Sequence, residues 1–353
     1  MKEKKQSKRY IIIFGIVALL GLTGIAGLTF IIDPFFQYHK LCDEREVYDE
    51  RYQNPGLAKN AYYDAVIVGS SMSENFNCEW FDEAYDINAL KLTFSGGSAQ
   101  DWVNAVILAE ENQNVRYVFG NIDISVLGQE YGKVRYELPQ YLYDNNFLND
   151  VYYLLNKEIL FSHTMKLIEY KGNGNLKNAY AWYDNQKESF GHKNVLSLVD
   201  YKGDCNNIEQ KKIMIDENTR KTVEQIKETI QKYPDTKFKI FYSPYSIMDY
   251  YCYAVAGNIN TVLEVYEYSM NELLECENCE LYFPTYNNIE MITDLDSYKD
   301  LNHYDIDIQY TIFEEMRDGV NRVTKENYRE IIQWFRNEII NYDYDELYKS
   351  YND

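Results

Sequence analysis

Positive charge is scarce over most of this chain. Five of its 35 Lys/Arg and one of its 56 Asp/Glu fall within the first nine residues, leaving 30 basic against 55 acidic side chains. Nucleic acid and anionic lipid both need a basic footprint, so neither is expected as a partner. A Gly-rich phosphate loop is also lacking, which argues against a phosphate-binding module. The six cysteines, Cys42, Cys78, Cys205, Cys252, Cys276 and Cys279, show no framework spacing. An even count permits disulfides outside the cell without dictating them. Cys276-Glu-Asn-Cys279 is half of a zinc pattern with no second half, and the four histidines are scattered. No metal and no cofactor is expected. No internal repeat or low-complexity linker divides the chain.

What is present begins with a long apolar run. Residues 1–9 form a basic tail, and residues 10–32 follow without a charge until Ile32. Such a stretch is roughly 34 Å long as a helix, enough to cross a bilayer core. A cleaved signal peptide is the rival reading, but its apolar region is usually about 7–15 residues and ends in a small-x-small site. The longer run here, with no clear site of that kind, favours an uncleaved anchor. Basic residues before it and Asp33 after it place the N-terminus in the cytoplasm. The remainder is then expected outside the plasma membrane: a connection over 33–61 and a domain over 62–345.

Within that domain, short apolar β-branched or aromatic runs predict strands at 64–69, 91–95, 115–125, 238–242 and 281–283. Helical spacing predicts helices at 79–86, 98–112, 217–233, 261–274, 305–318 and 325–340, with Ser98 as an N-cap. Alternating strands and helices imply a three-layer α/β/α domain around a five-stranded parallel sheet, flavodoxin-like in kind. Residues 126–215 are less regular and read as an insertion over one rim of the sheet, with helical segments at about 141–155 and 161–170.

The stretch Val66-Ile-Val-Gly69-Ser70-Ser71 carries the first chemical signal. A buried strand that ends in Gly-Ser-Ser puts a hydroxyl at its carboxyl end, where ligands of open α/β sheets sit. A serine is unreactive alone and needs a base and oxyanion donors. Asp300-Leu-Asn-His303 supplies a candidate base, His303, and a carboxylate, Asp300, three residues away to orient it. Gly96, in Phe94-Ser-Gly-Gly97, can offer a backbone N–H to an oxyanion. Composition does not separate Ser70 from Ser71.

The order Gly69-Ser70-Ser71, then Ser95-Gly96-Gly97-Ser98, then Asp300-x-x-His303 resembles the SGNH (GDSL-like) hydrolase superfamily. The resemblance places the nucleophile at Ser71, the oxyanion glycine at Gly96, and the orienting carboxylate and base at Asp300 and His303. A third block, expected just beyond the third strand, departs from the pattern. Asn121 matches by type but lies early, while Asp123 or Ser125 fall nearer the expected place, so that donor stays open among the three. Ser70, where the family usually has Asp, is a second departure. An anchored exterior domain of this kind is similar to DltD-like proteins of teichoic acid D-alanylation and AlgJ/AlgX-like proteins of polysaccharide acetylation. The resemblance implies a serine acyltransferase or esterase acting on O-acyl groups of a cell-surface glycan or teichoic acid, beside a membrane-bound O-acyltransferase. The alternative is a non-catalytic scaffold that binds a polymer or such a partner.

Overall fold

A computed structural model describes residues 2–39, 47–144, 146–169, 174–203, 205 and 214–351. Cys42 and Tyr170, the last residue of the helix expected over 161–170, lie outside them. The chain forms two compact units: residues 1–61 with 138–175, and residues 62–137 with 176–353. Of the stretch expected as an insertion, 138–175 therefore groups with the N-terminal segment.

The first unit is built on one long helix, Lys2–Ile32. Its Gln6–Ile32 portion, with mean hydropathy 2.6, is long and apolar enough to cross a membrane. The chain turns sharply after it, with Asp33 and Phe36 at positive φ. Phe35 then packs into a small core with Leu142, Tyr153 and Ile159. The helix Glu50–Asn60 follows, capped by the Asp49 side chain on the Tyr52 N–H.

The second unit is an α/β layer structure around a six-stranded sheet. Its strands are β1 (Ala65–Gly69), β2 (Ala89–Thr93), β3 (Tyr117–Ile122), β4 (Lys237–Tyr242), β5 (Cys279–Tyr282) and β6 (Arg322–Val323), in the order β2-β1-β3-β4-β5-β6. The first five are parallel, as expected. The sheet is nevertheless mixed, because β6 pairs antiparallel with β5 through Leu281–Val323 and Tyr282–Arg322. That corrects the five-stranded parallel reading. Two residues are too short to show a period, so β6 has no signature in the sequence.

Alternation along the strands divides the core between two faces. Phe119 meets Phe81 at 4.6 Å between ring centroids, and Phe81 meets Phe313 at 4.9 Å, so the helices Cys78–Tyr85 and Ile306–Asp318 cover that face. Phe238 and Gly120 face the other side, towards Trp102 on the helix Ala99–Asn112. Ser98 caps that helix in a full capping box with Asp101. The helices Glu217–Lys232, Ile259–Leu273 and Tyr328–Ile340 continue the series. Ile247–Val255 and Tyr344–Ser350 are helices that periodicity did not reveal. The strand order reverses between β1 and β3, and the crevice beyond strand ends at such a switch point is where ligands bind in this architecture.

Candidate active site

Every site residue considered from the sequence lies in the second unit. β1 delivers Gly69 at φ +134°, and a Cβ there would overlap the Asn121 amide oxygen, so the sharp exit from the strand requires glycine. The two serines that follow take opposite directions. Ser70 is buried and its hydroxyl donates to Asp123 Oδ2 at 2.6 Å. Ser71 is part-exposed, and its Oγ lies 2.8 Å from His303 Nε2. The other ring nitrogen, Nδ1, lies 2.9 and 2.8 Å from the two Asp300 oxygens. Ser71 and His303 are 232 residues apart in sequence. The backbone N–H groups of Asn302 and His303 also donate to Asp300 Oδ1, both at 2.9 Å.

Electrostatics follow from this arrangement. Burial alone would raise the Asp300 carboxyl, but the His303 ring and the two backbone N–H groups outweigh it and hold the carboxyl down to about 2. Asp300 therefore carries its charge at every ordinary pH. In that state it fixes the imidazole tautomer with Nδ1 protonated and leaves Nε2 free to accept from Ser71.

Phe94 N donates to Gly69 O at 2.9 Å, which ties the loop after β2 to the turn after β1. Gly96, at φ +59°, sits in that loop. Neither the Ser71 nor the Gly96 backbone N–H has a hydrogen-bond acceptor among the described residues.

Asn121 is placed differently. It is buried within β3, its Oδ1 accepts from Ser70 N (3.1 Å) and Ser73 Oγ (2.6 Å), and its Nδ2 donates to Ser70 Oγ at 3.1 Å. Its amide is committed to bracing the turn beneath Ser71. Asp123 is buried as well, and burial pushes its carboxyl up while the Ser70 hydroxyl opposes this. Ser125 is exposed and shares a 3.0 Å hydrogen bond with Tyr245 Oη.

Three further residues shape the site without a signal in the sequence. Trp182 stands edge-on to His303, with 5.4 Å between ring centroids, and its Nε1–H donates to Ser71 O at 3.3 Å. Lys299 Nζ sits 4.8 Å from the Trp182 ring centroid, is held by Gln186 Oε1 at 2.8 Å, and lies 4.0 Å from Asp300 Oδ2. Lys91, wholly buried on β2, donates to Glu74 O at 2.7 Å and pins the far side of the same turn. Burial lowers its amine to about 8.

Comparison with known proteins adds little. No protein-family model and no curated protein matches the chain. A solved structure from Streptococcus pneumonia, provisionally designated a platelet activating factor, is a distant structural neighbour. It shares 11% identity at a TM-score of 0.39, over 77% of this chain and 91% of that one.

Proposed function

We propose that the protein is a membrane-anchored, SGNH-like serine acyltransferase or esterase acting on O-acyl groups of a cell-surface glycan or teichoic acid. The observation that carries this reading is the hydrogen-bonded series Ser71, His303, Asp300, with Ser71 just beyond the carboxyl end of β1 and the other two in the loop before the helix Ile306–Asp318. Ser71 Oγ attacks the acyl carbonyl while His303 Nε2 takes its proton. The Ser71 and Gly96 N–H groups hold the oxyanion that forms. His303 then gives the proton to the departing oxygen, leaving the acyl group on Ser71. An acceptor hydroxyl, or water, is deprotonated by His303 and attacks the ester, which returns Ser71 to its starting state. Transfer and hydrolysis share the first half and differ only in the acceptor.

The exterior location rests on the basic tail before the apolar helix and on the Cys205–Cys252 disulfide, whose Cα atoms are 5.7 Å apart, since such bonds persist in oxidising compartments. A membrane-bound O-acyltransferase beside the anchor would supply the acyl group. A second reading, a non-catalytic scaffold that binds a polymer or that partner, is favoured by one observation: the Asn121 amide is spent on Ser70 and Ser73. Fluorophosphonate labelling of the full chain decides between them. Labelling that is lost in both Ser71→Ala and His303→Ala supports the enzyme; a folded wild type that stays unlabelled supports the scaffold.

A further inference from the structure

The apolar helix is not equally exposed along its length. From Gln6 to Ile25 its side chains are exposed, then Ala26, Gly27 and Leu28 are half-buried and Thr29 is fully buried. The cover comes from two segments of the same unit, Val151–Leu154 and Ile159–Thr164. Ala26 to Thr29 lie three to six residues before Ile32, about 5–9 Å of helix from the end of the apolar run. A segment that covers this part of a membrane-crossing helix is itself at the depth where acyl chains meet headgroups.

Those same segments and their flanks present large apolar side chains outward. Phe147, Leu148, Tyr152 and Phe161 are each more than 60% exposed, and Ile168 is about half exposed. Water-facing surfaces seldom concentrate such residues, whereas an interfacial segment requires them. Charge offers no competing explanation: Asp150, Glu158 and Glu169 are nearly balanced by Lys157 and Lys166 over this stretch. The junction is also tied firmly. Tyr153 Oη donates to buried Asp33 Oδ1 at 2.8 Å and accepts from Phe35 N at 3.1 Å. Asp33 accepts further from the N–H groups of Gln37 (2.8 Å), Tyr38 (2.8 Å) and His39 (3.0 Å).

We infer that residues 147–168 form a collar seated in the interfacial layer of the bilayer that the helix crosses, with Phe147, Leu148, Tyr152, Phe161 and Ile168 against lipid. The inference rests on the helix being a retained anchor. Its contact with lipid is apolar, so zwitterionic phosphatidylcholine, which carries no net charge, suffices as the ligand.

The full chain, reconstituted in phosphatidylcholine vesicles whose acyl chains are brominated near the headgroup or near the bilayer centre, tests this. Phe147→Trp and Phe161→Trp report on the collar, Leu20→Trp on the anchor and Val320→Trp on a water-exposed site, each read after subtracting the wild-type emission. The collar reporters are expected to shift to the blue and to be quenched by shallow bromine, with Leu20→Trp quenched by deep bromine and Val320→Trp by neither. Quenching of Leu20→Trp alone, with collar emission like that of Val320→Trp, overturns the collar and leaves the anchor standing. A blue shift without bromine quenching means that protein rather than lipid covers the collar, and also overturns it. Absence of quenching at Leu20→Trp removes the anchor, and the collar with it.

Discussion

Ser70 donates its hydroxyl to the buried Asp123 carboxylate at 2.6 Å, although its immediate neighbour Ser71 turns outward to His303. The two adjacent serines thus have separable roles. Ser70→Ala removes a hydrogen bond from a buried carboxylate and from Asn121 Nδ2, and should cost about 1–3 kcal/mol of stability. It should keep the fluorophosphonate reaction. Ser71→Ala should do the reverse, abolishing the reaction at little cost in stability. Chemical denaturation beside labelling distinguishes them, and the opposite pattern would move the nucleophile to Ser70.

Asp300 offers both a kinetic and a pH signature. Asp300→Asn keeps the shape but loses the charge that fixes the His303 tautomer, so kcat with an ester substrate should fall by about 10³–10⁴. Its carboxyl is held at about 2 in the fold against an ordinary 3.8. A lowered carboxylate stabilises the fold above its ordinary value and loses that contribution as pH falls from 3.8 towards 2. The wild type should therefore be more stable than Asp300→Asn by about 2 kcal/mol at pH 6. Denaturation at pH 6 and at pH 2 should show that advantage shrinking.

Trp182 meets His303 by ring edge and Ser71 through its carbonyl. Trp182→Ala should slow labelling on the order of tenfold by loosening both. Trp182→Phe keeps an aromatic edge and loses only the N–H donor, so it should fall between the two. A Trp182→Ala protein that labels at the wild-type rate would reduce the residue to packing.

Far from the site, Glu315 makes a prediction about stability alone. Burial raises its carboxyl to about 8, opposed by the Asn321 Nδ2 donor at 3.0 Å. A raised carboxyl binds a proton more tightly folded than unfolded, so its contribution is full below its ordinary 4.5 and is lost as pH rises through 8. Glu315→Gln should leave stability unchanged at pH 4 and raise it at pH 8.5 by about 4–5 kcal/mol. Melting curves of both proteins across that range provide the comparison.

Much of the second unit is legible in the sequence for a simple reason. A strand buried on both faces reads as a short, largely β-branched apolar run, so Ala65–Gly69 announces itself, and a serine at its end is visible as a departure from that rule. Ser71, Gly96, Asp300 and His303 could be named because each belongs to a short local block. β6 and the helix Ile247–Val255 could not, since two residues have no period and a nine-residue helix buried on most sides shows no clean apolar stripe.

The sequence by itself determined the alternation of strands and helices, the apolar N-terminal helix and the few residues able to carry serine chemistry, because those depend on neighbours along the chain. Tertiary structure alone decided that the Ser70 hydroxyl turns inward to Asp123, that the Asn121 amide braces the turn, and that Trp182 and Lys299 wall the site. It also decided that residues 138–175 join the N-terminal segment. Each of these is set by side chains tens to hundreds of residues apart, whose encounter depends on strand order and packing rather than on any local pattern.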